Sequence, residues 1–217
     1  MSRGRNRRKS RYEVHGNVEA EYVDAGKTVL VNRQGIVNLR ELYVREEEGL
    51  TKAYGELLGE VRTDTALSCG LLQRIHELIF GDLYEWAGRW RTVCISKPGI
   101  MWPPPEFLEK GMQEFEETVL RRYPSGALRS DGVFCRAVAH IQGEFLAIHP
   151  FREGNARTIK LATNLLAAQT KRPPLRYDEG KGGQRRYIAA AQAAISHDFG
   201  PMTEIVWAAL RAAAPRP

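Results

Sequence analysis

The stretch HPFREGNAR, residues 149–157, decides the fold that the sequence predicts. It begins where an apolar helical pattern has to end, because a residue that precedes a proline disfavours the α region. Gly154 and Asn155 then lead directly into a new helical pattern, NARTIKLATNLLAAQT. The stretch is therefore predicted to be the loop of a helix–loop–helix junction, with the N-terminus of the second helix at its end.

The residue types of this loop suit a bound phosphate. A helix N-terminus offers backbone N–H groups and the positive end of the helix dipole, and Arg157 adds a fork of donors. Glu153 can hold Mg²⁺ against the same phosphates, and His149 can accept a hydroxyl proton near neutral pH. Taken singly, each has a structural alternative, such as a capping histidine or a solvated arginine. Their clustering indicates nucleotidyl or phosphoryl transfer.

Outward from this loop, the pattern predicts a mostly α protein. Residues 91–102, RTVCISKPGIMW, combine β-branched residues with a Lys-Pro-Gly turn and are predicted to form the one β-hairpin. Apolar residues at helical spacing predict the other elements. These are helices over 38–60, from a cap at Thr63 or Asp64 to Ile79, over Glu106–Arg121, from Ser130 or Asp131 to Ile148, from Asn155 to Thr170, over Gln184–His197 and from Gly200 to about Ala212.

Composition fits one globular domain. The 217 residues are 43% hydrophobic and 27% charged, with no apolar run near the roughly 20 residues that span a bilayer. No signal peptide is recognisable, and we expect a cytoplasmic protein that does not bind membranes. Three widely spaced cysteines predict neither a disulfide framework nor a zinc site. They are Cys69, Cys94 and Cys135.

The net charge of +6 comes from the N-terminus. Residues 1–12 hold six basic residues and no acid, which leaves 26 basic and 26 acidic residues in the rest of the chain. We interpret residues 1–12 as a disordered basic arm, residues 13–212 as the domain and residues 213–217 as a flexible tail. Such an arm can hold phosphates loosely. We therefore expect no nucleic-acid binding beyond weak contacts of the arm.

HPFREGNAR resembles the signature of Fic domains, His-x-Phe-x-(Asp/Glu)-Gly-Asn-Gly-Arg, at all but one defined position. Residues 32–36 are similar to the start of that domain. Residues 80–88, followed by Arg91-Thr92 and by 95–97, resemble its helix and its β-hairpin, the flap. The resemblance covers about residues 25–210. It implies a single helical Fic domain with a core over about 60–200 and a flap over about 91–102.

The resemblance also implies an activity, the transfer of AMP from ATP to a hydroxyl side chain of another protein. In that activity His149 would deprotonate the target hydroxyl, Phe151 would anchor the loop in the core and Glu153 would coordinate Mg²⁺. Arg157 would hold the β-phosphate. The anion hole would be lined by Gly154, Asn155 and Ala156.

Two further parts of the site are implied by the same resemblance. The flap residues Ile95, Ser96 and Lys97 would bind the target segment by strand addition, which is a main-chain mode of recognition. Tyr187 would lie near the adenine, although a core aromatic is an equal alternative for this position. The bound molecules would be ATP, Mg²⁺ and a target protein.

The chain departs from the family pattern at two positions. Ala156 stands where the family has glycine, and Lys160 stands where it usually repeats arginine, so the hold on the terminal phosphate should be looser. The family's inhibitory pattern, Ser/Thr-x-x-x-Glu, does not occur in the sequence. In the nearest candidate, Glu48-Gly49, Val44 takes the hydroxyl position. We therefore predict the toxin of a toxin–antitoxin pair, with a separate small antitoxin as its inhibitor.

Two alternatives stay open. A Fic-fold enzyme can transfer another phosphate-containing group, although Gly154 argues mildly against transfer of phosphate itself. A non-catalytic binding module could instead use the basic arm for docking. The neutral body of the chain and the presence of both His149 and Glu153 argue against that module.

Overall fold

The computed structural model describes residues 13–15, 18–60, 62 and 65–213. The arm predicted for residues 1–12 and most of the predicted tail, 214–217, lie outside this part of the chain. The described residues form a mostly helical domain with one small sheet, which confirms the predicted fold class. Its helices are α1 (Leu39–Glu60), α2 (Cys69–Phe80), α3 (Leu108–Phe115), α4 (Asp131–Ile148), α5 (Asn155–Gln169), α6 (Lys181–Ala194) and α7 (Gly200–Ala213).

Helix α4 is the centre of the domain. Its apolar residues Phe134, Val138, Ile141 and Phe145 are completely buried, and it packs against α3, α5, α6 and α7. Helices α1 and α2 pack against each other, and both contact α5. Residues 149–154 join α4 to α5, which pack against each other, so this loop lies at the C-terminal end of the central helix.

Most predicted helix boundaries hold, and the exceptions have local causes. The α4 cap is Ser130, whose Oγ accepts from the Val133 N–H. The cap predicted at Thr63 or Asp64 is wrong: α2 begins at Cys69 behind Ser68, whose Oγ accepts from the Leu71 N–H, and those two residues lie outside the described part.

The helices predicted over Glu106–Arg121 and Gln184–His197 also differ in detail. The first is α3 followed by a π-helical turn, Glu116–Leu120, and preceded by a 3₁₀ turn at Pro105–Phe107. The second, α6, begins at Lys181. Gly183 permits this earlier start, because a Cβ there would lie 2.1 Å from the Asp178 carbonyl oxygen.

The sheet contains the predicted hairpin and one strand that the sequence did not predict. The hairpin pairs β2 (Cys94–Lys97) with β3 (Ile100–Met101), and β1 (Glu13–His15) pairs with the other edge of β2. The strand order is therefore β1-β2-β3, all antiparallel. Trp102 fixes the hairpin to the domain, because its Nε1–H donates to the Leu146 carbonyl of α4 at 3.1 Å.

None of the helices in the described ranges has both the length and the apolar character needed to cross a membrane.

Candidate active site

A cavity of about 880 Å³ opens beside the loop of residues 149–154, called the motif loop from here on. Its wall brings together residues that the sequence places far apart, from the flap, the motif loop, α5 and α6. The predicted site residues that line it are Lys97, His149, Glu153, Gly154, Asn155, Ala156, Arg157, Lys160 and Tyr187. Phe151, which belongs to the motif loop, has its side chain completely buried, as predicted.

The motif loop has a backbone that few sequences can adopt. His149, which follows α4, is in the left-handed region with φ 54°, and Gly154, which precedes α5, has φ 78°. Asn155 closes the loop, since its Oδ1 accepts from the Phe151 N–H at 2.9 Å and its Nδ2 donates to the Phe151 carbonyl at 2.8 Å. The Asn155 side chain is thus engaged within the loop, so what this residue can offer an anion is its backbone.

His149 is almost completely buried and lies against Trp102, with ring centroids 4.3 Å apart. Its Nδ1 is 3.3 Å from the Leu146 carbonyl. Because a carbonyl only accepts, the neutral ring carries its proton on Nδ1 and a lone pair on Nε2. Burial lowers the pKa of His149 to about 3. The imidazole is therefore neutral at physiological pH, the form in which it can accept a proton.

Glu153 is held by its own loop and by α2. Its Oε1 accepts from the Gly154 N–H at 3.0 Å. The buried His76 receives the Gly88 N–H on Nδ1 at 2.9 Å, so its proton is on Nε2, which lies 3.0 Å from the Glu153 carbonyl. His76 also stacks on Phe151 at 3.8 Å. This histidine thereby fixes the backbone of the carboxylate residue.

Arg157 lies between two carboxylates. Its Nη1 is 2.8 Å from Oε2 of Glu46, on α1, and its Nη2 is 3.8 Å from Oε1 of Glu153. The guanidinium carbon is 4.7 Å from the ring centre of Phe80. Glu46 is buried and also accepts from the Tyr84 hydroxyl at 2.8 Å. Burial, together with the Glu46 charge, raises the pKa of Tyr84.

Lys160 lies over two tyrosine rings on the α6 side of the cavity. Its Nζ is 4.3 Å from the ring centre of Tyr187 and 4.5 Å from that of Tyr177. The Tyr187 hydroxyl donates to Gln142 at 2.9 Å, which fixes the ring. Burial lowers the pKa of Lys160. The structure thus places the lysine and the tyrosine predicted for the nucleotide next to each other.

The flap differs from its predicted use. Ile95 is buried and packs with Val93 and Trp102, so its side chain does not reach the cavity. Strand β2 is bonded to β1 on one edge and to β3 on the other. The prediction that Ile95, Ser96 and Lys97 receive a target strand is therefore wrong for this arrangement, because β2 has no edge left to offer. The edge strand that borders the cavity is β3, through Ile100.

Sequence reasoning missed the side chains that support the loop from outside. Arg91 is buried, and its guanidinium donates to the carbonyls of His149 at 2.9 Å, Val93 at 2.8 Å and Pro103 at 2.6 Å. Burial lowers its pKa to about 10. Glu46 and His76 are two more such supports. The sequence did contain a signal for Glu46, because this acidic residue lies on the apolar, buried stripe of α1 with Leu42, Ala53 and Leu57.

The donors in the cavity fit a metal ion only if a nucleotide comes with it. Glu153 is the one acidic residue of the motif loop, and no group of three or more His, Cys, Asp or Glu suited to a metal occurs within the described ranges. Mg²⁺ commonly binds through one or two carboxylates plus substrate phosphates. Glu153 beside an anion-binding helix N-terminus matches that pattern.

Comparisons with known proteins agree with this geometry. The Fic/DOC family model matches residues 66–167. A probable protein adenylyltransferase of Sinorhizobium fredii, y4lH, is 28% identical over 82% of this chain and 88% of the relative. Protein adenylyltransferase VbhT of Bartonella schoenbuchensis is 30% identical over 64% of this chain, which covers only 29% of that relative.

Solved structures share the fold. The N-terminal Fic domain of Bep8 from Bartonella sp. 1-1C aligns with a TM-score of 0.74 at 18% identity, over 90% of this chain and 96% of that one. BepC of Bartonella tribocorum, solved with bound AMPPNP, aligns with a TM-score of 0.72 at 21% identity, over 93% and 100%. The loop sequence, the helical frame around it and these matches agree: residues 66–167, which include the motif loop, match the Fic/DOC family.

Proposed function

We propose that the protein is a protein adenylyltransferase, which moves AMP from ATP to a hydroxyl side chain of a target protein. The observation that carries the proposal is one cavity wall that holds a neutral histidine, a carboxylate and an anion-binding helix N-terminus. These are His149, Glu153 and the start of α5 directly after Gly154. The names of the relatives, protein adenylyltransferases, support the same reaction.

His149 is assigned the role of general base. Its Nε2 lone pair takes the proton of the target hydroxyl while the hydroxyl oxygen attacks the α-phosphorus of ATP. The bond from that phosphorus to the bridging oxygen breaks, and pyrophosphate leaves. A nucleotide in the cavity brings negative charge next to the ring, which favours its protonated form and strengthens a base whose pKa burial has lowered.

The nucleotide is assigned to the remaining wall. The first turn of α5, with Ala156 and Arg157, faces the phosphates, and Lys160 is placed at the terminal phosphate. Tyr187 is placed beside the adenine. Glu153 would hold Mg²⁺, which neutralises phosphate charge when it is bound. The hydrogen bond from the Gly154 N–H holds the Glu153 carboxylate next to the N-terminus of α5.

The target segment is assigned to β3 instead of β2. Strand addition needs an unpaired strand edge, and β3 is an edge strand that borders the cavity through Ile100, with Met101 82% exposed. Main-chain pairing there places a target residue near Lys97 and His149, which line the same cavity.

We further propose that the protein acts as the toxin of a toxin–antitoxin pair. The support is the sequence, in which no Ser or Thr precedes a Glu by four residues. Residues 1–217 therefore supply no inhibitory glutamate of that pattern, and the proposal assigns it to a separate small protein. Expression of this chain alone should then slow growth, and co-expression of a small protein with the Ser/Thr-x-x-x-Glu pattern should relieve it.

Labelled ATP tests the reaction. The purified chain is incubated with bacterial lysate and with ATP labelled at the α- or the γ-phosphate. We expect protein bands from the α-label only, and none from the His149→Ala variant, since loss of a general base typically costs about 10² to 10⁴ in rate. Bands from the γ-label would instead indicate phosphate transfer. Equal labelling by the wild type and His149→Ala would remove His149 from the mechanism.

A further inference from the structure

Glu46 is a buried acid with an uncommon pair of partners. It lies on the apolar stripe of α1 with 2% of its surface exposed. Both carboxylate oxygens are used, Oε1 by the Tyr84 hydroxyl and Oε2 by Arg157, each at 2.8 Å. A carboxylate out of water is costly unless it is paired and hydrogen-bonded. Here its ionic partner is the arginine that the proposed function assigns to phosphate.

The geometry around Arg157 gives the two residues of this ion pair different roles: Glu46 supports the arginine, and Arg157 can contact a bound phosphate. Arg157 lines the cavity and Glu46 does not. The guanidinium has Glu46 behind it, the Phe80 ring 4.7 Å away and Glu153 at 3.8 Å. Of the two carboxylates, Glu46 makes the direct hydrogen bond and Glu153 the longer contact. Without Glu46, the attraction of Arg157 to Glu153 would lose the competing carboxylate that makes the shorter contact.

We propose that Glu46 is a positioning residue that directs the Arg157 guanidinium toward the phosphates and keeps it from pairing closely with Glu153. The inference rests on the proposed function only in taking the cavity as a nucleotide site. A guanidinium that Glu46 already holds in place can bind an anion without first having to be ordered. A guanidinium drawn onto Glu153 would cover both the phosphate donor and the carboxylate that Mg²⁺ needs.

The test compares nucleotides that differ in the phosphates Arg157 is assigned to hold. ATP and AMP affinities are measured by calorimetry at several Mg²⁺ concentrations for the wild type and Glu46→Gln. The amide keeps the shape and removes the charge. We expect ATP to bind about tenfold more weakly, by analogy with the lower end of the loss seen when a residue that supports a metal ligand is changed, with AMP affinity within about twofold. The Mg²⁺ needed for half-maximal ATP binding should rise.

Two controls isolate the ion pair. Glu48→Gln neutralises an exposed acid two residues away, paired with Arg45, and should change neither affinity. In an Arg157→Ala background, Glu46→Gln should weaken ATP binding no further, because the two residues act as one unit.

If Glu46→Gln does not fold, Tyr84→Phe replaces it. That variant keeps the ion pair but removes one anchor of Glu46, so a smaller loss than in Glu46→Gln, confined to ATP binding, is expected.

Some outcomes would overturn the inference. An unchanged ratio of ATP to AMP affinity in Glu46→Gln and Tyr84→Phe would show that the ion pair does not set the phosphate contact. Tighter ATP binding in Glu46→Gln would show that Glu46 competes with phosphate instead of supporting its ligand. The two proposals can also fail separately. If Glu46→Gln loses ATP binding selectively while the wild type transfers no α-label, the role of Glu46 is supported and the proposed reaction is wrong.

Discussion

Substitution of Gly154 by alanine tests the geometry of the motif loop directly. Gly154 has φ 78°, and a Cβ built there would lie 2.2 Å from Cε2 and 2.4 Å from Cζ of Phe80. An L-residue in the left-handed region costs about 1–2 kcal/mol. Overpacking of a core that cannot easily move costs about 1–3 kcal/mol more. Phe80 is completely buried, so the sum, about 2–5 kcal/mol, should appear as lost stability.

The free energy of unfolding is measured by urea denaturation, with Gly55→Ala as the matched control. Gly55 lies in α1, and a Cβ there would meet nothing within 4 Å. Alanine at that position should therefore stabilise the protein by about 0.8–1 kcal/mol, the difference in helix propensity. The two substitutions add the same methyl group and are expected to have effects of opposite sign.

A double variant separates the two costs of Gly154→Ala. In a Phe80→Leu background the steric part should fall while the backbone part stays, so the coupling free energy should be about 1 kcal/mol or more. If Gly154→Ala lowers stability by less than about 1 kcal/mol, or if Phe80→Leu leaves its cost unchanged, then the loop does not have the backbone and the contact described above.

Two other predictions concern charge in the cavity. The pKa of His149 is lowered to about 3, below the unfolded value of about 6.5, so its contribution to stability is present above pH 6.5 and is lost as the pH falls toward 3. His149→Asn, which tolerates a positive φ, should make the unfolding free energy less steep over that range, by up to about 1.4 kcal/mol per pH unit. An equally steep dependence in urea titrations would contradict the burial of this ring. Lys160→Arg should raise the affinity for ATP relative to ADP, because a guanidinium can bind phosphate through two bonds. If the wild type and Lys160→Arg have the same ratio of ATP to ADP affinity, Lys160 does not contact the terminal phosphate.

Local patterns in the sequence were enough to predict the two helices and the loop that form the centre of the site. The proline after His149 ends α4, Gly154 and Asn155 begin α5, and the spacing of apolar residues predicts both helices. These features depend on neighbours in the chain. The cavity wall from His149 to Lys160 follows from the same segment, since residues on the first turns of one helix stay together.

The supports of the loop could not be predicted in this way. Glu46, His76 and Arg91 contact Arg157, Glu153 and His149 from 111, 77 and 58 positions away in the chain. Their partners are decided by how α1, α2 and the flap pack. Strand β1 was missed for a similar reason, because three residues carry little periodicity and their pairing depends on β2.

The three hydrogen bonds of Arg91 have a consequence for how a target is chosen. They tie the two ends of the flap, at Val93 and Pro103, to the carbonyl of His149. The guanidinium of Arg91 thus links the flap directly to the residue proposed as the base. For a chain paired with β3, the register of the pairing sets the distance from each hydroxyl to His149, whatever the neighbouring side chains are. If the target binds as proposed, its modified residue is selected by its position along the extended backbone, and a shift of one residue would turn the hydroxyl away from the base.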